Sequence, residues 1–145
     1  MKLIQQVQDN VIWAKNFYQE FRLYDLASYS VNYLTPKDTF EKEAHLPYGL
    51  KARQRLDLYK SKNARQKRPL IVFVHGGSWK HGNKRDYMFL GETFAREGFD
   101  VAIINYHLAP EHVFPTFVDD LAQAIHYLTQ NQSKLNVSTD NMILM

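Results

Sequence analysis

Hydrophobic and polar residues follow a helical spacing near the start of the chain and a strand-like spacing after it. In residues 2–24 the apolar side chains recur at steps of three and four, apart from one gap, and this predicts one or two amphipathic helices. A turn at residues 36–38 precedes two predicted strands, residues 40–48 and 53–59. In the second strand Asp57 stands between two leucines, an alternation typical of a strand near the edge of a sheet.

Three further apolar segments show no such alternation, and each is predicted to be a strand. They are Leu70–Val74, residues 100–106 and residues 142–145. A strand that is covered on both faces of a parallel sheet needs apolar side chains at consecutive positions, whereas a strand with one wet face would alternate. Leu70–Val74 and residues 100–106 are therefore predicted to be buried strands.

Two helical patterns separate the buried strands. Asn83 is the predicted N-cap of the first helix, and Gly98 is predicted to close it. The second helix is predicted to begin at Pro115, with Asp119 and Asp120 as a helix-start feature against the positive end of its dipole. A strand, a helix and a strand in this order form a right-handed crossover between parallel strands. The pattern thus predicts an α/β fold with a mainly parallel sheet of about five strands and flanking helices.

Composition narrows the possible classes of protein. The chain has 145 residues, 45% of them hydrophobic and 23% charged, which is ordinary for one globular domain and argues against disorder. It contains no cysteine, so disulfides and thiolate metal sites are excluded. Polar residues interrupt the first fifteen positions, and no apolar run approaches the ~18 residues of a membrane span. We expect a cytoplasmic protein without a membrane span.

The net charge of +3 is too small to predict a nucleic-acid partner. Residues 60–68 hold five basic residues with no aromatic residue among them, and the solvated loop is the favoured interpretation over an anion-binding patch. The six histidines show neither the H-E-x-x-H spacing nor a neighbouring carboxylate cluster, so no metal site is predicted. No cofactor is expected.

The predicted strand Leu70–Val74 ends in the sequence His75-Gly76-Gly77-Ser78-Trp79. Two consecutive glycines allow backbone N–H groups to approach a ligand closely, because glycine has no Cβ and tolerates a positive φ. This segment resembles the HGGG-type loop that forms part of the oxyanion hole in α/β-hydrolase lipases and esterases.

A second segment supports the same resemblance. Residues 105–120, NYHLAPEHVFPTFVDD, are similar to the Y-R-L-A-P-E-H-x-F-P-A-x-x-x-D signature of hormone-sensitive-lipase-like esterases, and His107 stands where that family usually has arginine. The HGG-S-W form, with Ser78 in place of a third glycine, is closer to the feruloyl-esterase and kynurenine-formamidase-like branch. The resemblance covers roughly residues 48–145 and implies the N-terminal part of an α/β-hydrolase fold.

The resemblance also implies a function, that of a serine carboxylesterase acting on a small-molecule ester. In such a site the backbone N–H groups of Gly77 and Ser78 would form the oxyanion hole, while His75, Gly76 and Trp79 would support the loop. The turn at residues 110–112 is interpreted as structural. Residues 1–40 would be a helical, cap-like segment and residues 41–145 the N-terminal half of the core sheet.

The catalytic residues themselves are expected outside this sequence. The resemblance places the nucleophile in a G-x-S-x-G turn directly after the fifth strand, and the acid and the histidine later still, whereas the sequence ends at Met145. Ser78 does not fit that pattern, because Lys80 occupies the position of the second glycine. No catalytic residue is therefore assigned within the chain, which is expected to be truncated and inactive alone. The resemblance also implies that the fifth strand, residues 142–145, lies beside the third and forms an exposed sheet edge, through which the chain is expected to self-associate. The alternative is a non-catalytic interaction module, or a split gene product, that retains half of the fold.

Overall fold

The computed structural model describes residues 23–63 and 69–145 of the chain. The helices predicted for residues 2–24 lie outside the described residues, apart from the last two positions. The same is true of most of the predicted cap-like segment and of residues 64–68 in the basic loop.

The described residues form a sheet of five strands in the order β1-β2-β4-β3-β5. The strands are β1 (Phe40–Pro47), β2 (Arg55–Ser61), β3 (Leu70–Val74), β4 (Val101–Ile104) and β5 (Met142–Leu144). Strand β3 pairs in parallel with both β4 and β5. The sheet is mixed, however, because β2 pairs antiparallel with both β1 and β4. All five predicted strands are present, and their ends differ from the predicted ones by one or two residues at most positions.

Helices cover both faces of the sheet among the described residues. They are α1 (Leu23–Leu34), a 3₁₀ turn (Lys84–Tyr87), α2 (Met88–Arg96), α3 (Thr116–Gln130) and the short α4 (Gln132–Leu135). Alternate residues of the central strands pack towards opposite faces. One apolar core lies under α3 and contains Leu56, Val72, Ala102, Ile104, Ala124 and Leu128, and the other lies under α2 and contains Tyr59, Ile71, Ala95, Val101 and Ile103. All residues of β4 are buried, as the absence of alternation predicted.

The predicted ends of helix α2 are also present. The Asn83 side chain accepts a hydrogen bond from the N–H of Arg85, which begins the 3₁₀ turn before α2. After the helix, Gly98 has φ +90° and its N–H bonds to the carbonyl of Ala95, while the N–H of Phe99 reaches back to the next carbonyl upstream. This pair of bonds is a Schellman motif, in which glycine is favoured because of the positive φ.

Helix α1 extends well beyond the helical pattern that ended near residue 24. Among its described apolar side chains, Leu26, Val31 and Leu34 are all exposed. The helix is attached through Asn32, whose amide donates to the carbonyl of Arg85 at 2.8 Å and accepts from the N–H of Phe89 at 3.0 Å. These two hydrogen bonds join the helix to the 3₁₀ turn and to the start of α2.

Strand β5 lies at one edge of the described sheet. It pairs with β3 on one side, and Ile143, Leu144 and Met145 are 43%, 56% and 44% exposed. The position beside β3 was predicted, and it leaves apolar side chains in contact with solvent. No helix among the described residues is long and apolar enough to cross a membrane.

Candidate active site

The loop of residues 75–82 begins at the carboxyl end of β3, beside the carboxyl end of the parallel strand β4. Gly77 has φ +126°, and a Cβ at this position would lie 2.2 Å from the carbonyl oxygen of His81. The Gly77 carbonyl in turn accepts hydrogen bonds from the N–H groups of Lys80 and His81 at 3.0 and 3.1 Å. Only glycine fits this tight turn. Gly76 is different, because a Cβ there would meet nothing within 4 Å.

Positive φ angles continue through the next two residues. Ser78 has φ +55° and Trp79 has φ +62°, a conformation that side chains other than glycine seldom adopt. Neither the N–H of Gly77 nor that of Ser78 donates to an oxygen of the described residues. The turn therefore presents two adjacent backbone donors whose hydrogen-bonding capacity is unused within the described part of the chain.

His75 lies beneath this turn and is 1% exposed. Its ring stacks on Tyr106, with centroids 4.5 Å apart, and more loosely on Tyr87. Nδ1 lies 2.9 Å from the carbonyl oxygen of Gly76, which can only accept, so Nδ1 carries the proton. Burial lowers the pKa of His75 to about 4, so the imidazole is neutral at pH 7. Gly82 closes the loop over this ring, since a Cβ there would lie 2.4 Å from Nδ1.

Trp79 connects the loop to the rest of the molecule. Its indole stacks on Phe117 of α3, with centroids 4.6 Å apart and ring planes 17° from parallel. Its carbonyl accepts a hydrogen bond of 2.8 Å from the N–H of Ala109. The left-handed conformation at Trp79 is thus held by contacts with two segments distant in sequence.

A buried ionic cluster fixes the far end of the loop. The ammonium group of Lys84 lies 2.5 Å from one carboxylate oxygen of Asp57, and both side chains are almost fully buried. Lys42 binds the other oxygen at 3.0 Å, and the N–H of His45 donates to Asp57 at 2.9 Å. Burial alone would raise the pKa of Asp57, but these three donors outweigh it, and the pKa lies below its usual range. The N–H of Lys84 also donates to the side chain of Asn105 at 2.7 Å.

This cluster corrects the interpretation of Asp57. The alternation around it suggested a solvent-facing side chain near the sheet edge, and β2 is indeed the second strand, but Asp57 is only 1% exposed. In the sequence, an aspartate that is buried and paired with lysine looks the same as one that is exposed to solvent. Lys84 and Asn105 were not singled out in the sequence, and the position of Lys84 directly after the N-cap Asn83 was the only available signal.

The adjacent residues Asp119 and Asp120 have different environments. Asp119 lies exposed in the first turn of α3, as expected of a helix-start residue. Asp120 is 2% exposed, and one of its oxygens accepts from both the N–H and Nδ1 of His107, each at 2.7 Å. Its other oxygen accepts from the Gln54 amide at 2.9 Å. His107 therefore binds a buried carboxylate at the position where the resembled signature has arginine.

The described side chains do not form a nucleophile and base pair. The hydroxyls of Ser30 and Ser61 donate to backbone carbonyls, that of Ser138 donates to Asp140, and Ser78 is exposed. None of these serines is hydrogen-bonded to a histidine within the described ranges. What the loop offers chemically is a pair of backbone donors for an oxygen atom that becomes negatively charged.

Comparison with known proteins agrees with this geometry. A family model named BD-FAE matches residues 56–145. The isoprenylcysteine alpha-carbonyl methylesterase of Arabidopsis thaliana is 34% identical over 98 residues, which are 68% of this chain and 23% of that protein. The kynurenine formamidase of Drosophila melanogaster is 33% identical over 84 residues, or 58% of this chain and 27% of that protein. The chain thus spans about a quarter of the length of these curated relatives.

Solved structures establish the fold. The crystal structure of esterase B from Lactobacillus rhamnosis has a TM-score of 0.72 with 21% identity, and the match covers 99% of this chain and 44% of that one. A bacterial heroin esterase gives a TM-score of 0.69 with 24% identity and covers 83% of this chain and 39% of its own. The prediction of a partial α/β-hydrolase fold is confirmed.

Proposed function

Because the chain belongs to the BD-FAE family, we propose that it forms the oxyanion-hole part of a serine carboxylesterase that acts on small-molecule esters. The observation that carries this proposal is the turn at Gly77 and Ser78, where two adjacent N–H groups bond to no oxygen of the described residues. The turn is supported by the stacking of His75 on Tyr106 and of Trp79 on Phe117.

The proposed role of these two donors is to stabilise charge in the transition state. Attack on an ester carbonyl places negative charge on its oxygen, and preorganised N–H groups stabilise that charge more than they stabilise the neutral ground state. Loss of one such donor raises the barrier by on the order of 3 kcal/mol in comparable sites. In this proposal the nucleophile, the base and the acid are contributed by residues outside this chain.

The first prediction is that the 145-residue chain hydrolyses no p-nitrophenyl acetate above background and takes up no fluorophosphonate label. An oxyanion hole without an activated nucleophile lacks the covalent step. The matched variant is Ser78→Ala. Hydrolysis that persists through purification and disappears in this variant would make Ser78 a nucleophile and overturn the proposal.

The second prediction concerns the donors themselves and compares Gly77→Ala with Gly76→Ala. Both are made in a chimera in which this chain is joined to the C-terminal part of a BD-FAE relative that carries a nucleophile. Gly77→Ala should lower kcat by about a hundredfold and leave KM nearly unchanged, because the added Cβ would collide with the carbonyl of His81 and turn the donors away.

Gly76→Ala is the control, since its Cβ would meet nothing within 4 Å. It should retain the kcat of the parent chimera. Equal kcat values for the two folded variants would remove Gly77 from the oxyanion hole.

We also propose that the chain associates with itself through the edge of β5. The support is the exposure of Ile143, Leu144 and Met145 on a strand whose pairing within the described residues is limited to β3. An exposed apolar edge strand is a template for pairing with another chain.

A further inference from the structure

An open cleft of about 830 Å³ lies at the far end of the HGG loop. Its walls are residues 51–53, the loop residues Lys80 and His81, and residues 107–112. The cleft therefore begins two residues along the chain from Ser78, in the same loop, and its other walls come from residues 51–53 and 107–112.

Positively charged side chains outnumber negatively charged ones in this cleft. Lys51, Arg53 and Lys80 are cationic, whereas Glu111 is the one carboxylate among the residues that line it. No ion pair joins any of these three cations to a carboxylate of the described residues. Glu111 can therefore offset only one of these three positive charges.

Arg53 is oriented without being neutralised. Its Nε donates to the carbonyl oxygen of Tyr106 at 2.6 Å, and its Nη2 donates to that of Gly82 at 3.0 Å. Both acceptors are neutral, and they occupy two of the five N–H groups of a guanidinium. Burial lowers the pKa of Arg53, and the charge of Asp120 acts against this effect in part, so an anionic ligand in the cleft would offset the cost of burial further.

The nearest buried carboxylate does not fill the cleft. Asp120 accepts three hydrogen bonds, two from His107 and one from Gln54, so both of its oxygens are already occupied. Asp120 is not among the residues that line the cleft, whereas His107 is. The His107 ring lies 4.0 Å, centroid to centroid, from that of His112, and the two ring planes are tilted by 52°.

We propose that this cleft binds the carboxylate group of a small molecule. Resting on the proposed function, we further infer that the ester substrate carries this carboxylate apart from its scissile bond. Trp79 lies between Ser78 and Lys80 in the sequence, and its indole stacks on Phe117. In this inference, the stacked pair would contact an apolar portion of the substrate between its carboxylate and its scissile bond.

The test is equilibrium dialysis of the 145-residue chain against radiolabelled benzoate at pH 7.5 and constant chloride. We expect saturable binding of one benzoate per chain that acetate displaces and that benzamide, the neutral analogue, does not. The double variant Lys51→Ala/Lys80→Ala should weaken binding by about tenfold, since both side chains supply charge-assisted contacts. Both lysines are exposed, so this variant should fold, which near-UV circular dichroism would verify.

The matched control is Lys62→Ala/Lys134→Ala, which removes two exposed lysines outside the cleft and should leave binding unchanged. Arg53→Gln is a second test, with the same check of folding. The inference would be overturned if benzoate uptake were not saturable, or if the two lysine pairs affected it equally. It would also be overturned if benzamide displaced benzoate as well as acetate does, or if inorganic phosphate displaced benzoate better than acetate does. Binding is measured without turnover, so an inactive chimera that still binds benzoate would refute the proposed function alone.

Discussion

His75 makes the stability of the fold depend on pH. The pKa of a histidine in an unfolded chain is about 6.5, whereas burial lowers that of His75 to about 4. Between these values the unfolded chain binds a proton that the folded chain does not, so the stabilisation is fully present above pH 6.5 and is lost as pH falls towards 4. The free energy of unfolding should fall by about 3 kcal/mol across this window, as measured by urea denaturation.

The variant His75→Asn isolates this effect, because its amide can still donate towards Gly76 but does not titrate. Its unfolding free energy should vary less with pH between 4 and 6.5. Burial raises the pKa of Asp100, which acts in the opposite direction, but both proteins share that residue. Parallel curves for the two proteins would show that His75 does not titrate as described.

The sequence predicts the residues of the turn better than it predicts their roles. The HGG pattern predicts that both Gly76 and Gly77 are needed. Of these two residues, however, only Gly77 has a positive φ and a contact that excludes a side chain. The left-handed conformations of Ser78 and Trp79 could not be predicted, because they depend on contacts with Ala109 and Phe117. Local sequence specifies a turn, and tertiary contacts decide its shape.

Secondary-structure elements were predicted where burial produces a pattern. Strands β3 and β4 are uninterrupted apolar runs, and α2 has both of its predicted end signals. Strand β5 has the same apolar pattern but is exposed at the sheet edge. Helix α1 was not predicted beyond its start; its described residues Leu26, Val31 and Leu34 are exposed, and Asn32 supplies two of its hydrogen bonds. The same limit applies to Asp57, whose buried ion pair cannot be distinguished from an exposed carboxylate in a sequence.

The ion pair between Lys84 and Asp57 joins the 3₁₀ turn to strand β2, and we predict that it is needed for stability. Lys84→Met should cost about 3–5 kcal/mol of unfolding free energy, because it leaves a buried carboxylate without its nearest cation. Arg85→Met, in the same turn, should change stability by less than about 0.5 kcal/mol, since Arg85 is exposed.

Urea denaturation of these two variants, together with Asp57→Leu/Lys84→Met, tests the prediction. The double variant should recover part of the loss, because replacing both charges removes the uncompensated carboxylate. A cost for Lys84→Met no greater than that for Arg85→Met would mean that the pair does not hold the loop.

At the level of the whole chain, the fold class and the position of β5 beside β3 were predicted correctly. That prediction depended on two separated motifs, at residues 75–79 and 105–120, which resemble one family and constrain the strands around them. The cleft that we propose as a carboxylate site could not be predicted, because its cations come from two segments that only the folded chain brings together. A cytoplasmic location and the absence of a nucleic-acid partner stay predictions.

The exposed edge at β5 leads to a prediction about the behaviour of the chain in solution. Backbone groups on the outer side of this strand and the exposed Ile143 and Leu144 can pair with a second chain. Size-exclusion chromatography with light scattering should show a mass that rises with protein concentration, together with binding of a dye that reports exposed apolar surface.

Two leucine substitutions distinguish the edge from apolar exposure in general. Leu144→Lys should shift the chain towards monomer, since a charge on an edge strand opposes pairing between chains. Leu50→Lys should not, because Leu50 is 99% exposed but lies in the turn between β1 and β2. A compact monomer at every concentration, with a sharp thermal transition and no dye binding, would show that the edge is closed within the chain itself. Equal effects of the two variants would place the contact between chains elsewhere.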